Sequence, residues 1–245
     1  MATNPIIHSE ACRLQKSVLN ALSGLPGHFY LSDSSALCRF YLHHRMPDQL
    51  VFILDSDADF QLSFSAFTTR LANYFSIQQD IASTNEAIII ASADNTNIRI
   101  RFQQALLSRI SAPIISSMIH IDDLFNIFVR LVIKLSGEKS PEALLDILKI
   151  SAQYQYNWQT IISKINTITP ISIDQLIENI SNISGIEMIN IGGQNQPNNA
   201  DELERYIVIL INNIKNGNDN SLCPLGAELA NAIIDQQCLA TENLT

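Results

Sequence analysis

Apolar and polar positions follow two rhythms along this chain: helical and strand periods mix up to about residue 113, and beyond it nearly every period is helical. From residue 6 to residue 22 apolar side chains recur at helical spacing (Ala11, Leu14, Val18, Leu19, Leu22), and Gly24 with Pro26 ends the run. Residues 29–31 read as a short strand, after which Asp33 or Ser34 can cap a helix reaching about His43. Val-Phe-Ile-Leu at 51–54 is the continuous apolar run of a strand covered on both faces. The acidic stretch 55–59 breaks the pattern, and 60–74 predicts a helix. Residues 87–91 and 98–102 flank a polar loop at 93–97, which predicts a hairpin. Residues 121–135 predict an apolar helix opened by Asp122 and Asp123, whose carboxylates suit the positive end of a helix dipole. Further helices are predicted at 140–152, 156–166, 172–182, 201–215 and 221–237, with a linker in the turn-rich stretch 192–199. Residues 206–214 are apolar around the whole helical circumference, so that segment is expected to be buried, in its own domain or against a partner.

The fold class expected from this pattern is α/β (α+β): a small mixed-sheet core over residues 1–115, then an all-helical part over 116–245. A chain of 245 residues that is 47% hydrophobic can bury the core of one large domain or two small ones. No apolar run is long enough to span a bilayer, and the first ten residues lack the basic flank and apolar stretch of a leader, so a cytoplasmic location is expected, with no membrane partner. Cys12, Cys38, Cys223 and Cys238 show no Cys-x-x-Cys spacing, and no metal site is expected from them. A net charge of −9 argues against extended nucleic-acid binding, which needs summed positive potential. Arg99, Arg101 and Arg109 are the nearest thing to a basic patch, and solvated strand and helix faces account for them.

Residues 29–54 carry a more specific pattern. Leu31-Ser32-Asp33-Ser34-Ser35-Ala36-Leu37 follows the short strand, and Leu42-His43-His44-Arg45 precedes the apolar one. With this layout the chain resembles, over about residues 5–150, the AbiEii-type nucleotidyltransferases, the toxin halves of abortive-infection toxin–antitoxin pairs within the DNA-polymerase-β-like superfamily. That family carries a Gly-Gly-Thr or Gly-Gly-Ser turn, Ala-Leu and a helix, a Gly-His-Arg turn, and an Asp-Leu-Asp strand. The resemblance implies a nucleotidyltransferase-like core followed by helices, and it implies where the chemistry should sit. Two glycines let the backbone approach a triphosphate; here Asp33 and Ser34 take those places. Paired aspartates on a strand project to one face and bridge two Mg²⁺ ions. An ungapped alignment gives Asp48, Gln49 and Leu50 there, and anchoring on His44-Arg45 gives Gln49, Leu50 and Val51. The third family carboxylate, in a Lys-Ile-Asp-Phe strand, is matched by Arg101 of Arg99-Ile100-Arg101-Phe102. The helical half of the family holds an Asp-Leu-x-x-x-Lys helix and an Arg-Asp-x-x-Asp pattern. Their counterparts, residues 123–127 and 141–146, lack the Lys and the Arg-Asp pair, and Asp123 reads as a cap and Asp146 as an exposed helix position.

The reading these residues favour is a catalytically degenerate nucleotidyltransferase-fold protein that binds a protein partner or a second copy of itself, in an antiphage or toxin–antitoxin-type system, with no cofactor. One alternative is an active, divergent Mg²⁺-dependent nucleotidyltransferase toxin acting on RNA or protein. It would use Asp48 with Asp55 or Asp57 as catalytic carboxylates and nucleoside triphosphate contacts from Ser34 and Ser35. A second alternative is a regulatory nucleotide-binding pseudoenzyme in which Arg101 replaces metal charge against phosphate. His28, His43, His44 and His120 show no ligand spacing, Ser34 and Ser35 have no nucleophile-elbow context, and Tyr154, Tyr156 and Trp158 read as core or interface aromatics.

Overall fold

The apolar run at 51–54 forms the middle of a seven-stranded sheet, because only a strand with neighbours on both sides and cover on both faces can bury four large side chains in a row. The computed structural model describes residues 10–25, 29–105, 109–116, 119–192, 199–223 and 225–231. The chain divides into two compact units, one running through Asp122 and the other beginning at Asp123.

The first unit comprises α1 (Glu10–Leu22), β1 (Phe29–Leu31), α2 (Asp33–Ala36, continuing as a π-type turn over Leu37–Tyr41), β2 (Gln49–Leu54), α3 (Phe60–Ala72), β3 (Ser76–Ala82), β4 (Glu86–Ala93), β5 (Thr96–Gln104), β6 (Ile114–Ser116) and β7 (Ile119–Ile121). The sheet order is β3-β4-β5-β2-β1-β7-β6. The β2–β5 and β1–β7 pairs are parallel, and the others are antiparallel. Successive strand residues point to opposite faces. One face carries Phe52, Phe102, Ile100 and Ile89, against which α1 and α3 pack. Its centre is aromatic: Phe52 stacks on Phe102 at 5.5 Å between ring centroids, and Phe29 meets Phe102 edge-on at 5.1 Å. The opposite face carries Gln49, Val51, Arg99 and Arg101.

Several elements depart from expectation. The helix expected up to His43 ends at Tyr41, and His43 takes a positive φ of 49°. α3 stops at Ala72, two residues early, where the chain turns into β3. β3 itself was not anticipated, because Ser-Ile-Gln-Gln-Asp-Ile-Ala has no clean two-residue period and a register shift between Gln79 and Ile81 breaks what there is. The predicted hairpin forms as β4 and β5 with a two-residue turn, Asp94-Asn95, and Asp94 adopts φ 50°. Strands β6 and β7 take Ile121 out of the apolar helix assigned to it.

The second unit contains α4 (Leu124–Gly137), α5 (Pro141–Ser151), β8 (Tyr154–Gln155), α6 (Trp158–Ile168), α7 (Ile173–Ser181), α8 (Gly185–Gly192), α9 (Ala200–Asn216), β9 (Ala227–Glu228) and a 3-10 turn, Leu229–Asn231. Asp123 caps α4, its carboxylate accepting from Asn126 N at 3.0 Å. Asp146 is not exposed: it lies fully buried on α5. Trp158 and Tyr156 are core residues against Phe128. The helix expected at 221–237 is replaced, over its described residues, by turns and the β8–β9 ladder. Pro26, His28, Cys238 and most of the 192–199 linker lie outside the described residues.

Candidate functional site

The candidate site is built on the sheet face away from α1 and α3, where β2 and β5 run parallel and the turn after β1 reaches over them. That turn is knitted to β2 by its serines. Ser32 N donates to Val51 O at 2.9 Å, and Val51 N in turn donates to Ser35 Oγ at 3.0 Å. The Ser35 hydroxyl donates to Ser32 O at 2.7 Å and is 1% exposed, so it is spent on the backbone of its own turn. Ser34, its neighbour on the first turn of α2, is half-buried. Asp33 enters the helix with φ 51°, the left-handed conformation that glycine adopts at no steric cost and that Asp is among the few other residues to tolerate.

The β2–β5 register fixes what faces the turn. Gln49 lies opposite Arg99 and Val51 opposite Arg101. Side chains directly opposite in a ladder share a face, so an amide, an apolar side chain and two guanidinium groups occupy this patch. Arg101 Nη2 contacts Glu86 on β4 at 2.8 Å, and Arg99 Nη2 contacts Asp80 on β3 at 3.4 Å. Arg101 Nε is buried and has no hydrogen-bond partner.

The acids that a metal would need are dispersed. Asp48 is exposed, ahead of the first residue of β2. Asp55 follows the end of β2 and forms a two-pronged pair with Arg109, from Nε at 2.7 Å and Nη2 at 2.5 Å. The Arg109 guanidinium lies 5.1 Å from the centre of the Tyr30 ring, and its pKa is raised, chiefly by the hydrogen bond to Asp55 and against the opposing effect of burial. Asp57 is exposed in the following turn, and Asp59 caps α3 by accepting from Leu62 N at 2.9 Å. Residues 55–59 are thus a turn, and their two-residue spacing does not align carboxylates on a strand face. Asp48, Asp55 and Asp57 do not gather as a ligand cluster among the described residues.

One carboxylate expected to open a helix has another place, because Asp123 alone caps α4. Asp122, fully buried at the end of β7, accepts from Ser32 Oγ at 2.6 Å, and its backbone oxygen accepts from Tyr41 Oη at 2.8 Å. Its signal was the alternation Ile119-His120-Ile121 just before it, which marks a strand end rather than a helix start.

No protein-family model and no curated protein matches the sequence. Solved structures do match in shape. JHP933 from Helicobacter pylori superposes with a TM-score of 0.55 at 11% identity, covering 85% of this chain and 95% of that one. A candidate nucleotidyltransferase from the same organism gives 0.55 at 12% identity, covering 85% and 98%. This chain therefore has a nucleotidyltransferase-like fold.

Proposed function

We propose that this chain is a catalytically degenerate nucleotidyltransferase-fold protein of the AbiEii type, which acts by binding a protein in an antiphage or toxin–antitoxin-type system. The observation that carries this reading is the β2–β5 register, with Val51 beside Arg101 and Gln49 beside Arg99. A two-metal mechanism needs carboxylates converging on one spot, so that the ions activate the attacking oxygen and neutralise the leaving pyrophosphate. Cations at that spot repel Mg²⁺ instead. The acidic run that could substitute is committed elsewhere, Asp55 to Arg109 and Asp59 to the cap of α3.

The test is incorporation of labelled nucleotide into RNA or protein in the presence of Mg²⁺. The expected result is none above background. Robust incorporation abolished by Asp48→Ala would overturn the reading and restore an active enzyme.

A second reading, regulatory nucleotide binding without catalysis, has one observation in its favour: the buried Arg101 Nε has no partner, and an anion oxygen would satisfy it. The Arg101–Glu86 pair is more than a third exposed on both sides and is therefore weak enough to be displaced. Nucleotide affinity unaffected by chelator and lost in Arg101→Ala would support it.

A further inference from the structure

The sequence of α9 predicts a helix buried on every side, yet only one side of it is buried. Leu203, Ile207, Leu210, Asn213 and Ile214 face the second unit's core. Asp201, Glu204, Arg205, Val208, Asn212 and Lys215 form an exposed stripe on the other side. Val208 is 59% exposed at the middle of that stripe, and Ile186, on the neighbouring helix α8, is 64% exposed.

Two of the four charges on the stripe, Asp201 and Lys215, are placed symmetrically about Val208, while Glu204 and Arg205 lie in register with Asn212 and Ile211. Asp201 lies seven residues before it and Lys215 seven residues after, two helical turns in each direction, so all three share one face. Neither Asp201 nor Lys215 forms an ion pair among the described residues. A helix that is acidic at one end, basic at the other and apolar at the midpoint complements a second, antiparallel copy of itself. We infer that α9 is a self-association surface, on which two copies of this chain pair antiparallel about a two-fold axis at Val208, each Asp201 meeting Lys215 of the other copy. The contact centres on one helix of 17 residues, about 25 Å long, which places it among weak, concentration-dependent dimers.

This inference names a partner for the protein-binding role and rests on that reading for its biological meaning. The two fail separately, because oligomeric state and nucleotide incorporation are independent readouts.

The test is sedimentation of the full chain over a concentration series, read against a monomer mass of 27.3 kDa. The wild type is expected to shift toward twice that mass as concentration rises, and Val208→Glu to raise the dissociation constant about tenfold or more by placing two carboxylates at the axis. Asp201→Lys and Lys215→Asp should each weaken the homodimer, since each puts like charges opposite one another. Mixed together they should form a heterodimer, because every reversed charge then meets its opposite. Val208→Cys should form a symmetric disulfide-linked dimer on mild oxidation. Circular dichroism of each variant checks that these exposed substitutions leave the fold intact. A single 27.3 kDa species at every concentration, a dimer indifferent to Val208→Glu, or a mixture that fails to pair would each overturn the inference.

Discussion

Arg101 lies opposite Val51 in the β2–β5 ladder, so a guanidinium stands on the strand face from which the proposed loss of catalysis is argued. Two substitution experiments, at Ser35 and at the Asp55–Arg109 pair, test the geometry of this unit. Ser35→Ala removes the buried hydroxyl that accepts from Val51 N, leaving a main-chain donor without its partner. Such a loss costs about 1–3 kcal/mol, and urea denaturation should show a fall of that size. If Ser35 instead faced a ligand, stability would hardly change. The Asp55–Arg109 pair is partly buried and two-pronged, the geometry in which charged hydrogen bonds contribute measurably. A double-mutant cycle with Asp55→Ala and Arg109→Ala should give a favourable coupling of about 1 kcal/mol, and a coupling near zero would show that the pair merely coexists. At this scale the sequence was partly legible. It showed Arg101 as a cation where the family resemblance implied a carboxylate, but it could not show that Asp55 is bound to Arg109, since that pairing spans 54 residues of chain.

Helix α8 shows how local chemistry holds an element that periodicity does not announce. Ser184 and Glu187 form a capping box, Glu187 N donating to Ser184 Oγ while the Glu187 carboxylate accepts from Ser184 N at 2.8 Å. Lys139 Nζ adds a contact of 2.8 Å to the same carboxylate. With Lys139 first and the Ser184 donors next, the Glu187 pKa is pulled down to about 2. A carboxyl whose folded pKa is depressed stabilises the fold fully above its unfolded pKa of about 4.3, and that stabilisation fades as the pH falls toward 2. Glu187→Gln should therefore be less stable than wild type at pH 6, with the gap closing between pH 5 and pH 2. A gap that stayed constant across that range would mean the carboxylate charge is immaterial.

The same helix was missed in the sequence because its eight residues, Gly-Ile-Glu-Met-Ile-Asn-Ile-Gly, begin and end in glycine and run apolar without a clear face. Strands β6 and β7 escaped because each has three residues, too few to establish a period. The β4–β5 hairpin was legible for the opposite reason: Ile98, Ile100 and Phe102 alternate cleanly with polar residues, and all three are buried.

At the scale of the whole chain, a shared fold does not by itself fix a function. Two H. pylori structures share this fold at 11% and 12% identity, so its shape persists while most of its residues differ. Four of the seven core strands, β1, β2, β4 and β5, and the three helices among them were readable because strand burial and helix periodicity are written locally. The make-up of the β2–β5 face was not readable in the same way, since it depends on which side chains the strand register brings together. A net charge of −9 adds a general bias against polyanions that a few local arginines would have to overcome. No helix among the described residues is long and apolar enough to cross a membrane.

The most direct test of catalytic degeneracy is calorimetric titration of the purified full chain with nucleoside triphosphates, once with Mg²⁺ and once with chelator. Val51 and Arg101 side by side predict no heat that depends on Mg²⁺. Binding that appears with Mg²⁺ and vanishes with chelator would contradict the account and direct attention to Asp48 and the acidic turn at 55–59.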